Sequence, residues 1–320
     1  MTFRIDRLLE GTTLGPVQRT GFLELVPLLG DDDATFAPPA LEVSTCRYGV
    51  VQLRNDADRP TLVPTGAGWV VRQKAQDHAL GGAAFVAPGA TRVVETALCI
   101  QQTQAGCIRA GKHAMVVLPV ALRGKALAQR HVADFRKHWD DIGAFNRALG
   151  IEHGGGHLET FLRTFERQLA QFVAELEVVP RQVGALVLCD DALVGIERTP
   201  STAFWRAVFE PLVRVSYGSL AVQVARQRAA PAWALREAES ELPAGGGVAA
   251  IRAALAEADA RTERRVRGLA ATIGPMPLEA SADEDAFEGA ALATVTAEGL
   301  SGQVVTVGGD VRYASLCVAA

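Results

Sequence analysis

At 320 residues, 49% apolar and 21% charged, the chain carries ample material for a core, which excludes a disordered protein. A formal net charge of −4 gives no general pull toward nucleic acid or an anionic membrane. The longest apolar run, Ala114–Leu122, is too short to span a bilayer, and the charged N-terminus has no apolar signal core, so a cytoplasmic protein is expected.

In chain order, a strand is expected at Phe22–Leu28, then an acidic, proline-bearing loop at Asp31–Asp33 and Pro38-Pro39. From Leu41 to Leu122 the pattern is β. Strands read at Leu41–Val43, Val50–Leu53, Thr61–Val63, Trp69–Val71, Ala83–Val86, Thr91–Thr96 and Met115–Val120, with turns at Asn55–Asp58 and Gly66–Gly68. Past Gly124 the period changes. Leu127, His131, Val132, Phe135, Trp139, Ile142, Phe145 and Leu149 form one helical face ending at Gly150, and Leu158–Leu176 is the clearest helix.

Val183–Cys189 and Ala192–Ile196 read as a two-stranded ribbon turning at Asp190-Asp191. Thr199-Pro200 has the composition of a helix start, and Phe204, Val208, Leu212 and Val213 follow at helical spacing. Gln227–Gly247 is rich in Ala, Pro and Gly, Val248–Ala270 returns to helix, and Ser281–Asp285 reads as an acidic loop. Strands at Ala290–Val295, Val304–Val307 and Val311–Leu316 close the chain, the last pair echoing the earlier ribbon. The expected class is α+β: a β-rich N-terminal layer of short antiparallel strands, then a helix-plus-hairpin C-terminal half. The expected organisation is one unit over 1–320, β-rich over 1–124 and α+β over 125–320.

Five cysteines, Cys46, Cys99, Cys107, Cys189 and Cys317, form no CxxC pair and read as reduced, buried thiols. His153 and His157 enclose three glycines beside Glu152 and Glu159, a donor set apt for zinc or iron. A triple glycine cannot hold both rings on one helical face, so a plain loop is the default and no metal is expected. His131 and His138 lack a carboxylate at matching spacing. Neither Gly66–Gly68 nor Gly154–Gly156 carries a P-loop or dinucleotide continuation. Arg261, Arg264, Arg265 and Arg267, interleaved with acids, read as a salt-bridged helix face, so no nucleic-acid partner is expected.

Several phrases resemble the ARPP domain, the ADP-ribosylglycohydrolase- and rhodanese-phosphatase-superfamily-associated family, a domain of unknown function. Gln52–Pro60 is similar to its N-x-x-D-x-P turn, Gln76–Leu80 to its Q-N-R loop, and Thr96–Gln101 to its V-S-C-V-E strand. Gln182–Val187 resembles its G-Q-V-G strand, Leu212–Tyr217 its L-L-x-S-Y helix, and Val311–Leu316 its closing strand. The departures fall on charged positions. No carboxylate stands in Thr65–Trp69 where the family has D-G-E, Gln101 replaces a glutamate, and His78 replaces an arginine.

Gln101 can neither hold a cation nor take a proton as a carboxylate would. The resemblance therefore implies a divergent member, a binder rather than a working enzyme, that recognises an NAD-derived nucleotide such as ADP-ribose. Gln76, His78, Gln101, Gln182, Ser216 and Tyr217 are its expected ligand contacts, with cofactor and catalytic residues unassigned. The alternatives are a scaffold or interaction module, including a homo-oligomer, and a metal-assisted hydrolase using His153 and His157.

Overall fold

The computed structural model describes residues 2–70, 77–102, 106, 113–229 and 247–318, with the side chains of residues 2, 3, 46 and 282–285 set aside. In chain order the first elements are β1 (Thr2–Arg4), α1 (Ile5–Leu9), β2 (Thr13–Leu14), β3 (Gln18–Thr20) and β4 (Leu23–Leu29). A run of short strands follows: β5 (Glu42–Arg47), β6 (Val50–Arg54), β7 (Thr61–Val63), β8 (Ala67–Trp69) and β9 (His78–Ala79). It continues with β10 (Ala84–Val86), β11 (Thr91–Val94), β12 (Leu98–Cys99) and β13 (Met115–Val117). Helices α2 (Val120–Ala128), α3 (Trp139–Ala148), α4 (Leu158–Thr164) and α5 (Glu166–Glu175) lead to the ribbon β14 (Gln182–Cys189) and β15 (Ala192–Arg198). Next come α6 (Thr202–Glu210), a π-helix (Pro211–Tyr217), α7 (Gly218–Gln227) and α8 (Val248–Ile273). Last are β16 (Pro277–Phe287), β17 (Ala290–Ala297), β18 (Leu300–Val307) and β19 (Asp310–Val318). The class is α+β.

A ten-stranded antiparallel sheet, ordered β1-β16-β17-β18-β19-β15-β14-β4-β2 with β3 on β4, joins both ends of the chain. Alternate residues of a strand face opposite sides. Leu186 and Leu188 therefore meet Ile5, Leu8, Val266 and Ile273 on one face, while Ala185, Val187 and Cys189 meet the helices after α2 on the other. Both faces being covered, β14 is buried along its whole length. The ribbon turns at Asp190 and Asp191, both at positive φ (54° and 68°), the requirement of a tight hairpin turn. Arg228 and Arg265 pair with these two carboxylates, and Arg265 also pairs with buried Glu24, so α8 is clamped to the ribbon. The ribbon's echo, β18-β19, lies beside it through the β15–β19 pairing.

Several expectations change in detail; among them, Ala67 and Gly68, expected in a turn, lie in strand β8. The helical face from Leu127 to Leu149 is broken between α2 and α3, because Asp134 Oδ1 accepts from Arg136 N at 3.0 Å and competes with the helix. The Leu158–Leu176 helix is divided at Phe165, next to Thr164, whose hydroxyl donates to Thr160 O at 2.7 Å. The helix after the ribbon is capped by Ser201, which accepts from Phe204 N at 3.1 Å; Thr199 instead donates its hydroxyl to Val183 O. Ser281–Asp285 lies inside strand β16, beyond the reach of β1, which pairs only with Pro277–Glu279. Acidic composition suits such an edge as well as a loop.

His138 yields a pH prediction. It is buried, with Nδ1 3.2 Å from Asp141 Oδ2. Burial lowers its pKa from 6.5 to about 4; Asp141 opposes that shift, and Lys125 and Lys137 reinforce it. The unfolded chain then takes up the proton first. Stability is full above pH 6.5 and falls toward pH 4, by about 3 kcal/mol in all. Denaturant titrations at pH 7 and pH 4 should show a smaller acid loss in His138→Gln; an equal loss would contradict this assignment.

Candidate functional site

The helical run Thr202–Gln227 contains a proline at 211. Proline has no N–H to donate and crowds the preceding turn, and at this point the helix widens into the π-helix. Such insertions are often found at functional sites. Here the widened turn presents two different faces.

The inner face carries Ser216 and Tyr217, both buried. Tyr217 donates to Glu197 Oε1 at 2.6 Å, and Arg123 Nη1 donates to the same oxygen at 2.8 Å. Arg123 also reaches Ser216 Oγ and Tyr217 Oη at 3.4 Å and bonds to Ser315 Oγ. Burial opposes its charge, but Glu197 beside it holds the pKa above the ordinary arginine value. The Tyr217 hydroxyl is pushed up by burial and by Glu197. Next to this group, Thr65 N donates to Tyr313 Oη at 2.9 Å and Thr65 Oγ1 to Gln303 Oε1 at 3.1 Å. The front layer and the large sheet thus meet over a buried polar knot, in which the Arg123 Nη atoms bind Glu197, Ser216, Tyr217 and Ser315, while Arg123 Nε is buried without a hydrogen-bond partner.

The outer face opens on a cleft of about 580 Å³ between α6, the π-helix, α4 and β13. Val70, Met115, Val116, Leu162, Pro211 and Val215 give it an apolar lining, and Arg206, Glu210 and Arg214 supply charge. Arg214 Nη1 is held by Glu210 at 3.0 Å, whereas its Nε is buried without a hydrogen-bond partner. Arg206 is exposed at the same cleft. Two guanidinium groups above an apolar wall can bind a planar ring together with a phosphate or carboxylate.

The six residues singled out from the sequence fall in different places. Gln76 lies outside the described residues. His78 is buried in β9 opposite Cys99 and Trp69, its Nε2 accepting from Gly49 N at 3.1 Å. Gln101 forms an isolated bridge with His157 and donates to Glu159 Oε2 at 3.2 Å. Gln182 accepts from Val179 N and donates to Gly184 O, both at 3.0 Å, and so locks its own turn. Of the five described residues, Ser216 and Tyr217 come together in the knot, and His78 and Gln101 lie near each other along the β9–β12 pairing. In the sheet β12-β9-β8-β13 it is β13, at the opposite edge from β12, that packs on the π-helix. His78 and Gln101 are therefore separated from Tyr217 by intervening strands.

The loop around His153 and His157 is strapped by its main chain. Asn146 Nδ2 donates to Gly155 O and His157 O, and Gln102 Oε1 accepts from Gly156 N at 2.9 Å. A side chain on Gly154 would meet Asn146 Nδ2 at 2.7 Å, and one on Gly156 would meet Trp139 Cβ at 2.9 Å, so close packing accounts for these glycines. Burial lowers the His157 pKa, against the pull of Glu159. Among the described residues no group of three His, Cys, Asp or Glu is arranged to hold a metal ion. Cys99, Cys189 and Cys317 are buried free thiols; burial raises Cys99 to about 11 and Cys189 to about 12, far from a reactive thiolate.

Sequence reasoning missed Arg123, Glu197, Arg206 and Arg214. Glu197 had a signal: it shares the helix-facing side of β15 with Gly195, in register with Ala185 and Ser315. A carboxylate there needs a buried cation. Arg123 likewise stands between Leu122 and Leu127 on an apolar helix.

A family model described as the ARG and Rhodanese-Phosphatase-superfamily-associated Protein domain, ARPP-1, matches residues 12–273. The chain belongs to the ARPP-1 family. The whole knot except Ser315, Tyr313 and Gln303, and the whole lining of the π-helix cleft, fall inside the ARPP-1 segment. No curated protein and no solved structure matches the chain. Among the described residues no helix is long and apolar enough to cross a membrane.

Proposed function

We propose that this ARPP-1 protein recognises, without processing it, an NAD-derived nucleotide such as ADP-ribose, and that the cleft outside the π-helix is the binding site. The observation that carries the reading is the pairing of Arg206 and Arg214 with an apolar wall in one cleft of about 580 Å³. That volume falls within the range of small-molecule pockets. The guanidinium groups suit a pyrophosphate, Met115 and Val116 suit a base, and Glu210 can accept from ribose hydroxyls. The family's described association with ARG-type proteins supports this ligand class. Ser216 and Tyr217 then support the turn that presents Arg214, instead of touching the ligand.

Isothermal titration with ADP-ribose tests this. Wild type should bind at micromolar to sub-millimolar concentration, and Arg206→Gln with Arg214→Gln should weaken binding at least tenfold, about 1.4 kcal/mol. Absence of heat with ADP-ribose and NAD at millimolar concentration would overturn the reading. The interaction module would then take its place; it is favoured by the exposed apolar residues Val248, Ile251 and Leu255 along one side of α8.

A further inference from the structure

Helix α8 has 26 residues, about 39 Å of rise, and its two halves differ. Val248, Ile251, Leu255, Ala258 and Thr262 recur in steps of three and four, and Val266, Leu269 and Ile273 continue the series. All fall within an arc of about 80° on the helix, so they form one stripe. The C-terminal half of that stripe is core. Val266 and Ile273 are buried, and Leu269 packs with them beside Ile5, Leu8, Leu186 and Leu188. Arg265 fixes this half to the ribbon turn.

The N-terminal half is open. Val248 is 68% exposed, Ile251 36% and Leu255 50%, so three of the six exposed large apolar side chains among the described residues gather on one helix end. Among the described residues, no ion pair or side-chain hydrogen bond ties 248–262 to another element; the first is made at Arg265. An apolar stripe that is core at one end and bare at the other marks a contact surface.

The chemistry of this half selects the occupant. Arg252 and Arg261 balance Glu257 and Asp259, and 248–262 holds no aromatic residue, which gives little hold on an anionic lipid surface or a nucleic acid. Ala254 and Ala258 beside the stripe let a second helix come close. Arg252 and Asp259 stand two turns apart on one flank and carry opposite charges. A copy of the same helix running the other way sets each Arg252 beside the Asp259 of its mate.

We propose that α8 pairs antiparallel with α8 of a second copy of this chain, with Leu255 close to the two-fold axis. The antiparallel sense keeps the two bodies at opposite ends of the helix pair. Helix α8 covers the sheet face opposite to the one that carries the π-helix, so the pairing is independent of the nucleotide reading.

Sedimentation velocity of the full chain over a range of concentrations tests it. Wild type should show a reversible dimer. Leu255→Glu should be a folded monomer, whereas Val132→Glu, at an exposed apolar residue elsewhere, should dimerise as wild type does. Arg252→Glu and Asp259→Arg should each weaken the dimer about tenfold, and the two together should restore it, because the swap re-forms both pairs. A wild type that stays monomeric, a dimer indifferent to Leu255→Glu, or a double swap no tighter than the single ones would overturn the proposal. A monomer that binds anionic vesicles would make a lipid surface the occupant. A monomer whose Leu255→Cys thiol is spared by maleimide would make it the chain's own segment 230–246. Either result also overturns the pairing.

Discussion

Glu197→Ala should cost about 3–5 kcal/mol of folding stability, the largest loss expected for a single side chain here, because it strands the Arg123 charge in the interior. Arg123 and Glu197 are each 2% exposed, 2.8 Å apart at their nearest atoms. Their attraction compensates the desolvation of both charges only while both are present. Replacing the pair together, Arg123→Met with Glu197→Leu, removes two buried charges at once and should bring stability back to within about 2 kcal/mol of wild type. The residual cost comes from the hydroxyls of Tyr217 and Ser315, which lose their charged partners. Urea denaturation of wild type, Arg123→Met, Glu197→Leu and the double variant gives the cycle, with Glu197→Ala measured beside them. A loss below about 1 kcal/mol in Glu197→Ala, or a double variant as weak as the single one, would refute the assignment of Arg123 and Glu197 as a mutually dependent buried pair.

Gly195→Ala comes next in expected effect. A Cβ at 195 would sit 2.0 Å from Tyr217 Oη and 2.6 Å from Cζ, so the ring could not keep its place. Moving it breaks the 2.6 Å bond to Glu197 and disturbs the packing of the π-helix against β15. Overpacking and the lost charged hydrogen bond together suggest about 4 kcal/mol. If the clash with Tyr217 is the cause, the same substitution in a Tyr217→Leu background should cost much less, since the two sites are coupled. Equal costs in both backgrounds would place the strain elsewhere. Because the π-helix also carries Arg214, Gly195→Ala should weaken nucleotide binding even under conditions where the variant is folded.

Much of this fold is legible in the chain. The fully buried β14, the two-acid turn after it and the closing hairpin follow from strand periodicity and turn chemistry alone. The helix breaks at Asp134 and Thr164 were hidden, because the apolar period runs on past a side chain that bonds back to the local main chain. The site was less legible. Family likeness led to Ser216 and Tyr217, which do sit on the special turn, but their hydroxyls point into the knot. The charged residues that face the cleft, Arg206 and Arg214, read in sequence as ordinary surface positions of an amphipathic helix. What sets them apart is the π-turn and the neighbouring β13, contacts between segments nearly a hundred residues apart that no local pattern reports.

The most direct test is a crystal structure of the full chain with ADP-ribose. The pyrophosphate is expected between Arg206 and Arg214, with the base against Met115 and Val116 and the Arg123–Glu197 pair unmoved. Ligand bound instead beside Gln101, His157 and Glu159, with the π-helix cleft empty, would contradict it.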